Sequence, residues 1–303
     1  MKKVIVTTTI NPPTEAIKKF CEMKDWDIVI VGDQKTPHET YEALKKEYPQ
    51  VTYMPPEVQE EKYKDLSDAI GWNCIQRRSI GFIEAYRMGA ELLATVDDDN
   101  IPYPQWGENV VVGSEVEVEC FVSNNGYFDP LSITNAPHLW HRGYPIEHVQ
   151  TKNSVKSLGK VKRKVLVQAD LWDGDPDIDA MARIVFRPNV TFERKEFFCS
   201  RNPSPFNSQN TFIDRSIIPH YMMLPHIGRM DDIWAAYIVE KQFPDSVVYA
   251  PASVLQARNV HNLVTDLEKE MIGYKNTLKF IEGTFPLPPE TQKAYDAYRK
   301  CFA

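Results

Sequence analysis

Hydrophobic and polar positions along the first hundred residues fall into blocks that switch between two periods. Lys3–Ile10 is a β-branched run that predicts a first strand, and Pro13–Met23 sets Ile17, Phe20 and Cys21 at helical spacing behind Pro12-Pro13. DIVIVGD, Asp27–Asp33, predicts a short buried strand that ends in a Gly-Asp turn. Thr40–Tyr48 predicts a helix with Tyr41, Leu44 and Tyr48 on one face, and Val51–Met54 a third strand. Asn73–Met88 predicts a helix capped by Asn73 and ended by Gly89, and Glu91–Val96 a fourth strand. Strand and helix in alternation argue for an α/β fold with a mostly parallel sheet and right-handed crossovers.

Beyond Gln105 the alternation is lost. Val110–Val122, Lys162–Gln168 and Ala182–Arg187 predict strands, and Asn124–Ile146 predicts a loop-rich stretch. Asp232–Gln242 and Leu263–Phe280 predict helices, and Pro288–Ala303 a last helix on the surface. No internal repeat, low-complexity segment or linker interrupts the pattern, so one compact unit is expected.

Composition narrows the classes. With 303 residues, 43% of them hydrophobic, the chain can bury a full core. A formal net charge of −7 argues against a general nucleic-acid binder, which needs a basic face, while leaving room for a local basic groove. The five cysteines (Cys21, Cys74, Cys120, Cys199, Cys301) are odd in number and scattered, without zinc-ligand spacing, and are expected to be reduced and structural. The opening MKKVIVTTTINPP reads as a strand rather than a signal peptide. No apolar run reaches the roughly eighteen residues of a membrane span. A soluble, cytoplasmic protein without an integral membrane segment is expected.

The chemistry concentrates in a few acidic stretches. Asp97-Asp98-Asp99 follows the fourth strand, and ligands of open α/β sheets bind beyond the carboxyl ends of strands. The TTTIN segment, Thr7–Asn11, and Asp33 sit at two other such ends. Asp97 and Asp99 point the same way if the segment is extended, and two carboxylates there suit Mn²⁺ or Mg²⁺, which grips substrate phosphates. Taken alone, three aspartates make a solvated turn; their place after four alternating elements favours the metal. Arg77 and Arg78 near a helix N-terminus suit phosphate, or equally a surface pair. Asp231-Asp232 open a helix, which capping alone explains, or one of them serves as a general base. Asp173, Asp175, Asp177 and Asp179 have the spacing of a calcium loop, yet its closing glutamate is missing and Pro176 interrupts it, which argues against calcium. His261 precedes the C-terminal helix and acts only if the fold carries it to the aspartates.

Together these landmarks resemble a glycosyltransferase of the GT-A fold, and RRSIGFIEA (Arg77–Ala85) resembles the helix that precedes the metal motif in such enzymes. RRSIGF…TVDDDN, RGYP (Arg142–Pro145) and IGRMDDIWAAY (Ile227–Tyr237) resemble the plant reversibly glycosylated polypeptides, which include UDP-arabinopyranose mutases. NPP (Asn11–Pro13), GDPDIDAMAR (Gly174–Arg183), PFNSQNT (Pro205–Thr211), DDIW (Asp231–Trp234) and RNVHN (Arg258–Asn262) resemble the STELLO proteins more. The resemblance covers most of Lys3–Glu270. It implies a single GT-A domain over 1–303, with a nucleotide-sugar half 1–125, an acceptor half 126–262 and C-terminal helices 263–303. It places Asp97 and Asp99 in the metal motif with His261 as a further ligand, and Asp97 or Asp98 near the ribose. It places Thr8 and Asp33 on the nucleotide, Asp33 at the base, and Arg78 beside the nucleotide-sugar. Asp232 or Asp231 becomes the base or an acceptor contact. In the mutases the C-terminal histidine lies earlier, where this chain has Gln256, and their glycosylated arginine has no counterpart near Asn189–Arg194.

Both departures favour a transferase that moves a sugar from a UDP-sugar to an acceptor hydroxyl, with Trp140, Trp172 and Trp234 as aromatic faces for the acceptor. The alternatives are a UDP-sugar mutase or a non-catalytic nucleotide-sugar binder. The sugar, the acceptor (glycan, lipid, protein or modified nucleobase), the stereochemistry and the oligomeric state stay open.

Overall fold

The computed structural model describes residues 1–257 and 262–303. The first part alternates as expected: β1 (Lys3–Thr9), α1 (Glu15–Cys21), β2 (Asp27–Gly32), α2 (His38–Glu47), β3 (Val51–Met54), α3 (Pro56–Ile70), α4 (Arg78–Arg87) and β4 (Leu92–Val96). The second part runs β5 (Asn100–Pro102), β6 (Glu115–Ser123), β7 (Val155–Lys164), β8 (Val167–Gly174), α5 (Ala180–Phe186), β9 (Phe198–Ser200) and β10 (Asn210–Asp214). It closes with α6 (Asp231–Gln242), β11 (Val247–Gln256), α7 (Leu263–Ile281) and α8 (Pro289–Lys300).

The strands form one sheet in the order β3-β2-β1-β4-β10-β8-β11-β9-β6-β7, with β5 paired to β11. The β3-β2-β1-β4 part is parallel throughout. At β10, antiparallel to both β4 and β8, the sheet turns mixed. Alternate side chains enter two cores, one per face. Val4, Val6, Val29 and Val31 pack on one side, and Ile5, Ile28, Ile30 and Ala94 on the other. Each large aliphatic so buried contributes about 1.5–3 kcal/mol. Both faces are covered, so the strands read as continuous apolar runs. This is the α/β layout that the GT-A resemblance implies, with the carboxyl ends of β1, β2 and β4 opening on one side.

Two glycines set the site by close approach. A Cβ on Gly81 of α4 would stand 2.5 Å from Val6 and 2.8 Å from Val31, so only glycine lets α4 lie this low on the sheet. Gly228 has φ +60 and its Cβ would meet the Lys269 carbonyl at 2.0 Å, so the turn ahead of α6 seats directly on α7.

Several expectations are corrected. Ala182–Arg187 is not a strand but the end of α5, because Asp179 caps that helix by accepting from the Ala182 amide at 2.8 Å. Lys162–Gln168 divides between β7 and β8, and Val110–Val122 becomes strand only from Glu115. Asn73 does not cap α4. It stands at φ +57, and a short 3₁₀ turn, Ile75–Arg77, leads into the helix. Helix α3 was not anticipated, although Gln59, Tyr63, Leu66 and Ile70 line its buried face. No helix among the described residues is long and apolar enough to cross a membrane.

Candidate active site

The acidic triplet forms a turn between β4 and β5 rather than an extended segment. The Asn100 amide donates to the Asp97 carbonyl at 3.3 Å, and the Ala257 amide to the Asp99 carbonyl at 3.0 Å. Asp97 takes Arg78 Nη2 on Oδ1 at 2.5 Å. The same guanidinium donates to the Ser208 carbonyl at 2.9 Å and its hydroxyl at 3.1 Å. Arg78 therefore fixes Asp97 and the β10 approach. Asp98 Oδ2 accepts from Thr9 Oγ1 at 2.5 Å and Asn11 Nδ2 at 2.9 Å, so the TTTIN segment holds the middle aspartate. Thr14 Oγ1 reaches the Asp98 carbonyl at 2.5 Å while accepting from the Ile17 amide at 3.2 Å, which ties the cap of α1 to the triplet.

Asp33 is buried and spent on backbone. Its carboxylate accepts from the amides of Gln34 at 2.6 Å, Asn73 at 2.9 Å and Cys74 at 3.0 Å. It pins the loop before α4 to the end of β2. Thr8 donates to the Val31 carbonyl at 2.8 Å. Arg77 is fully buried and does not line the cavity at the strand ends. Its guanidinium stacks on Trp72 at 3.5 Å and donates to Gln59, Ser67 and Gly71.

Asp231 and Asp232 differ sharply. Arg142 Nη1 and Nη2 bind Asp232 Oδ1 and Oδ2 at 2.9 and 3.1 Å, and Arg142 Nε and Nη2 bind Asp177 at 2.9 and 2.8 Å. The Ser208 amide adds a bond to Asp232 at 2.9 Å. Burial would raise the Asp232 pKa, but the Arg142 charge and these hydrogen bonds hold it below the usual carboxylate value. Asp231 has Gln76 Nε2 on Oδ2 at 2.8 Å, and Arg142 stands only at 3.8 Å. Burial first, then the Asp232 charge, push Asp231 up to about 7.

Most of these groups meet. One cavity of about 640 Å³ is lined by Thr8, Asp33, Arg78, Asp97, Asp98, Asp99, Asp231 and Asp232. The fold thus brings together eight of the expected residues. Gln76, Arg142, Ser208, Arg229 and Lys269 line it too, and were not foreseen as site residues. Arg142 carries a local signal in RGYP, but its partners lie 35 and 90 residues away in sequence. His261 lies outside the described residues.

The aromatic acceptor face is corrected. Trp234 is fully buried, stacked on Phe280 at 4.5 Å and donating to Thr277 at 3.0 Å. Trp172 is buried between His141 and Phe192. Trp140 donates to Asp179. None of the three lines the cavity. The calcium-like aspartates are dispersed among separate tasks: Asp173 takes Tyr103 and the Phe192 amide, Asp175 pairs with Arg183, Asp177 with Arg142, and Asp179 caps α5.

Among the described residues no three His, Cys, Asp or Glu side chains form a ready-made metal cluster. A hard cation such as Mg²⁺ needs only one or two carboxylates, with the remaining ligands from phosphate and water. Seven aspartates against three arginines and one lysine line the cavity, so a bare diphosphate would meet surplus negative charge. The oxygen donors of the triplet fit a divalent cation that offsets it.

No protein-family model matches the sequence. The chain is similar to "Probable glycosyltransferase STELLO2" of Arabidopsis thaliana, 24% identical over 191 residues, which cover 59% of this chain and 24% of that protein. It is also similar to "Probable glycosyltransferase STELLO1" of the same plant, 23% identical over 258 residues, 78% of this chain and 32% of that protein. The chain thus spans about a quarter to a third of the length of the curated relatives it matches. Among solved structures, glucosyl-3-phosphoglycerate synthase from Mycobacterium tuberculosis aligns over 94% of this chain and 81% of its own, with a TM-score of 0.48 and 11% identity. Mannosyltransferase PcManGT from Pyrobaculum calidifontis, solved with GDP-Man and Mn²⁺, aligns over 99% and 69% with a TM-score of 0.42 and 11% identity. In sequence, then, the chain resembles the STELLO glycosyltransferases over most of its length.

Proposed function

We propose that this chain is a metal-assisted glycosyltransferase that moves a sugar from a nucleoside-diphosphate donor, a UDP-sugar, to an acceptor hydroxyl. The observation that carries the reading is the single cavity at the strand ends, where the Asp97–Asp99 turn faces the Asp231-Asp232 pair. The STELLO resemblance supports it. Asp97 and Asp99 would hold Mn²⁺ or Mg²⁺, and such a cation, when bound, supplies positive charge to the departing diphosphate.

The chain's own residues do the rest. Arg78 fixes the orientation of Asp97, while Thr9 and Asn11 fix that of Asp98. The base is Asp231 rather than Asp232. A general base works best with a pKa near the operating pH and a free lone pair. Asp231, pushed to about 7, meets the first demand. In an inverting transfer it takes the acceptor's hydroxyl proton on Oδ1, while Gln76 steadies Oδ2. Asp232 stays ionised against Arg142 and keeps the negative charge that raises Asp231.

Calorimetric titration of UDP, GDP and CDP, each with and without Mn²⁺, tests this. Saturable UDP binding that needs Mn²⁺ is expected. A folded sample that binds none of the three overturns the reading.

A further inference from the structure

A second cavity, about 660 Å³, opens at the other end of α6 and shares no lining residue with the first. Helix α6 connects them: Asp231 starts it at the crevice, and Glu240 and Lys241 lie near its far end. At 1.5 Å per residue, Glu240 sits roughly 13 Å along the helix from Asp231. Apolar surface comes from Tyr237, Phe280, Phe285 and Tyr295. Polar and charged side chains, Arg201, Glu240, Lys241, Gln242 and Asp245 among them, share the lining, so aromatic walls meet convergent polar groups as in small-molecule sites.

The charges lining this cavity are unequally satisfied. Arg201 and Asp245 pair with each other at 2.9 Å. Glu240 and Lys241 make no ion pair among the described residues. Glu240 accepts one hydrogen bond, from the Ser204 amide at 2.9 Å. Burial pushes its carboxyl up to about 8, with that amide offsetting only part. A carboxylate in such surroundings is costly until a cation joins it. Lys241 is exposed beside it, with no anionic partner among the described residues. A ligand with only an ammonium would meet repulsion from Lys241, and one with only an acid group would leave the buried Glu240 without a cation. A ligand with both satisfies both.

We propose that this cavity binds a small zwitterion with an apolar body, of the α-amino-acid type. Its ammonium pairs with Glu240, its carboxylate with Lys241, and its body lies on Phe280, Phe285 and Tyr295. The site is separate from the donor crevice and stands whether or not the chain transfers sugars.

Three probes share one ring and differ in charge: L-phenylalanine, phenethylamine and 3-phenylpropanoate. In calorimetric titrations of the full chain, L-phenylalanine is expected to bind at least about tenfold more tightly than either relative, one ion pair being worth on the order of that factor when partly desolvated. Glu240→Gln, which keeps an acceptor for the Ser204 amide, should weaken L-phenylalanine and phenethylamine and spare the acid. Lys241→Ala, at an exposed position, should weaken L-phenylalanine and the acid and spare the amine. UDP with Mn²⁺ should leave all three affinities unchanged. The proposal is overturned if a singly charged probe binds as tightly as the zwitterion, if both variants bind like wild type, if UDP displaces the probes, or if none binds.

Discussion

Asp97–Asp99 and Asp231-Asp232 face one another across one crevice, yet the fold treats them in opposite ways. The triplet lies on a half-buried turn, held by side chains of β1, the segment that follows it, and α4. The pair lies deep at the start of α6, where the positive end of the helix, the Arg142 guanidinium, the Ser208 amide and Gln76 compensate it. Asp98 and Asp99 are only part-buried and can still meet water and a cation, while Asp97, ion-paired with Arg78, has its own pKa pushed up by burial. The pair has been divided instead, into one carboxylate locked as an ion and one lifted towards neutrality. Residue type is the same on both sides; solvent access and the nearest cation decide the chemistry.

The sharpest way to break that contrast is to remove Arg142, which faces Asp177, Asp231 and Asp232 together. Leaving buried carboxylates unpaired costs about 3–5 kcal/mol. Arg142→Ala should lower the stability measured by urea unfolding by that amount, and Arg142→Lys should recover only part, because lysine cannot bind both aspartates in a fork. A wild-type midpoint in Arg142→Ala would mean the acidic pair is solvated rather than ion-paired.

Next in size is Asp231, the proposed base. Asp231→Asn should cut turnover about 10²–10⁴-fold and leave UDP affinity with Mn²⁺ unchanged. In the wild type the rate should rise with pH and level off above about 7, because Asp231 accepts a proton only once ionised. The linkage has the matching sign. The folded pKa of about 7 exceeds the ordinary 3.8, so the native state binds the extra proton, and stability falls as pH climbs between those values. Asp231→Asn should flatten both profiles. Equal loss of rate and of UDP affinity would recast Asp231 as a binding group.

How much of this was legible depended on range. Strands β1 to β4 were readable because a sheet covered on both faces leaves unbroken apolar runs. The carboxylates were readable because strand ends and helix starts are local features. The β-branched Ile184-Val185 misled at α5, where the cap three residues upstream of Ala182 outweighs strand preference. Trp172 and Trp234 misled for another reason: an aromatic residue's identity does not say whether it faces a crevice or a core. Ser208 and Arg142 could not be placed locally, since their partners are assembled only when β10 settles beside β4 and α6 beneath the crevice.

On the triplet's side, Asp99→Ala should lower Mn²⁺-dependent UDP affinity by at least about tenfold while the melting temperature stays near wild type, as expected when one oxygen donor is lost from a site completed by phosphate and water. Unchanged metal-dependent binding would take Asp99 out of the site.

The smallest effect belongs to Thr14, and it asks whether the triplet's carboxylates or its position matters to the donor. Its hydroxyl accepts from the Ile17 amide and donates to the Asp98 carbonyl, so it joins the α1 cap to the turn without touching a carboxylate. Thr14→Ala should cost about 0.5–2 kcal/mol in unfolding free energy, the usual worth of a helix cap, and Thr14→Ser should restore most of it. Nucleotide affinity should fall less than in Asp99→Ala, since the Asp97 and Asp99 carboxylates proposed for the metal and the Thr9 and Asn11 bonds to Asp98 remain. If Thr14→Ala instead weakens UDP as much as Asp99→Ala, the turn owes its function to where α1 anchors it. The contrast between a half-buried and a fully buried acidic cluster would then be one of backbone placement as much as of charge.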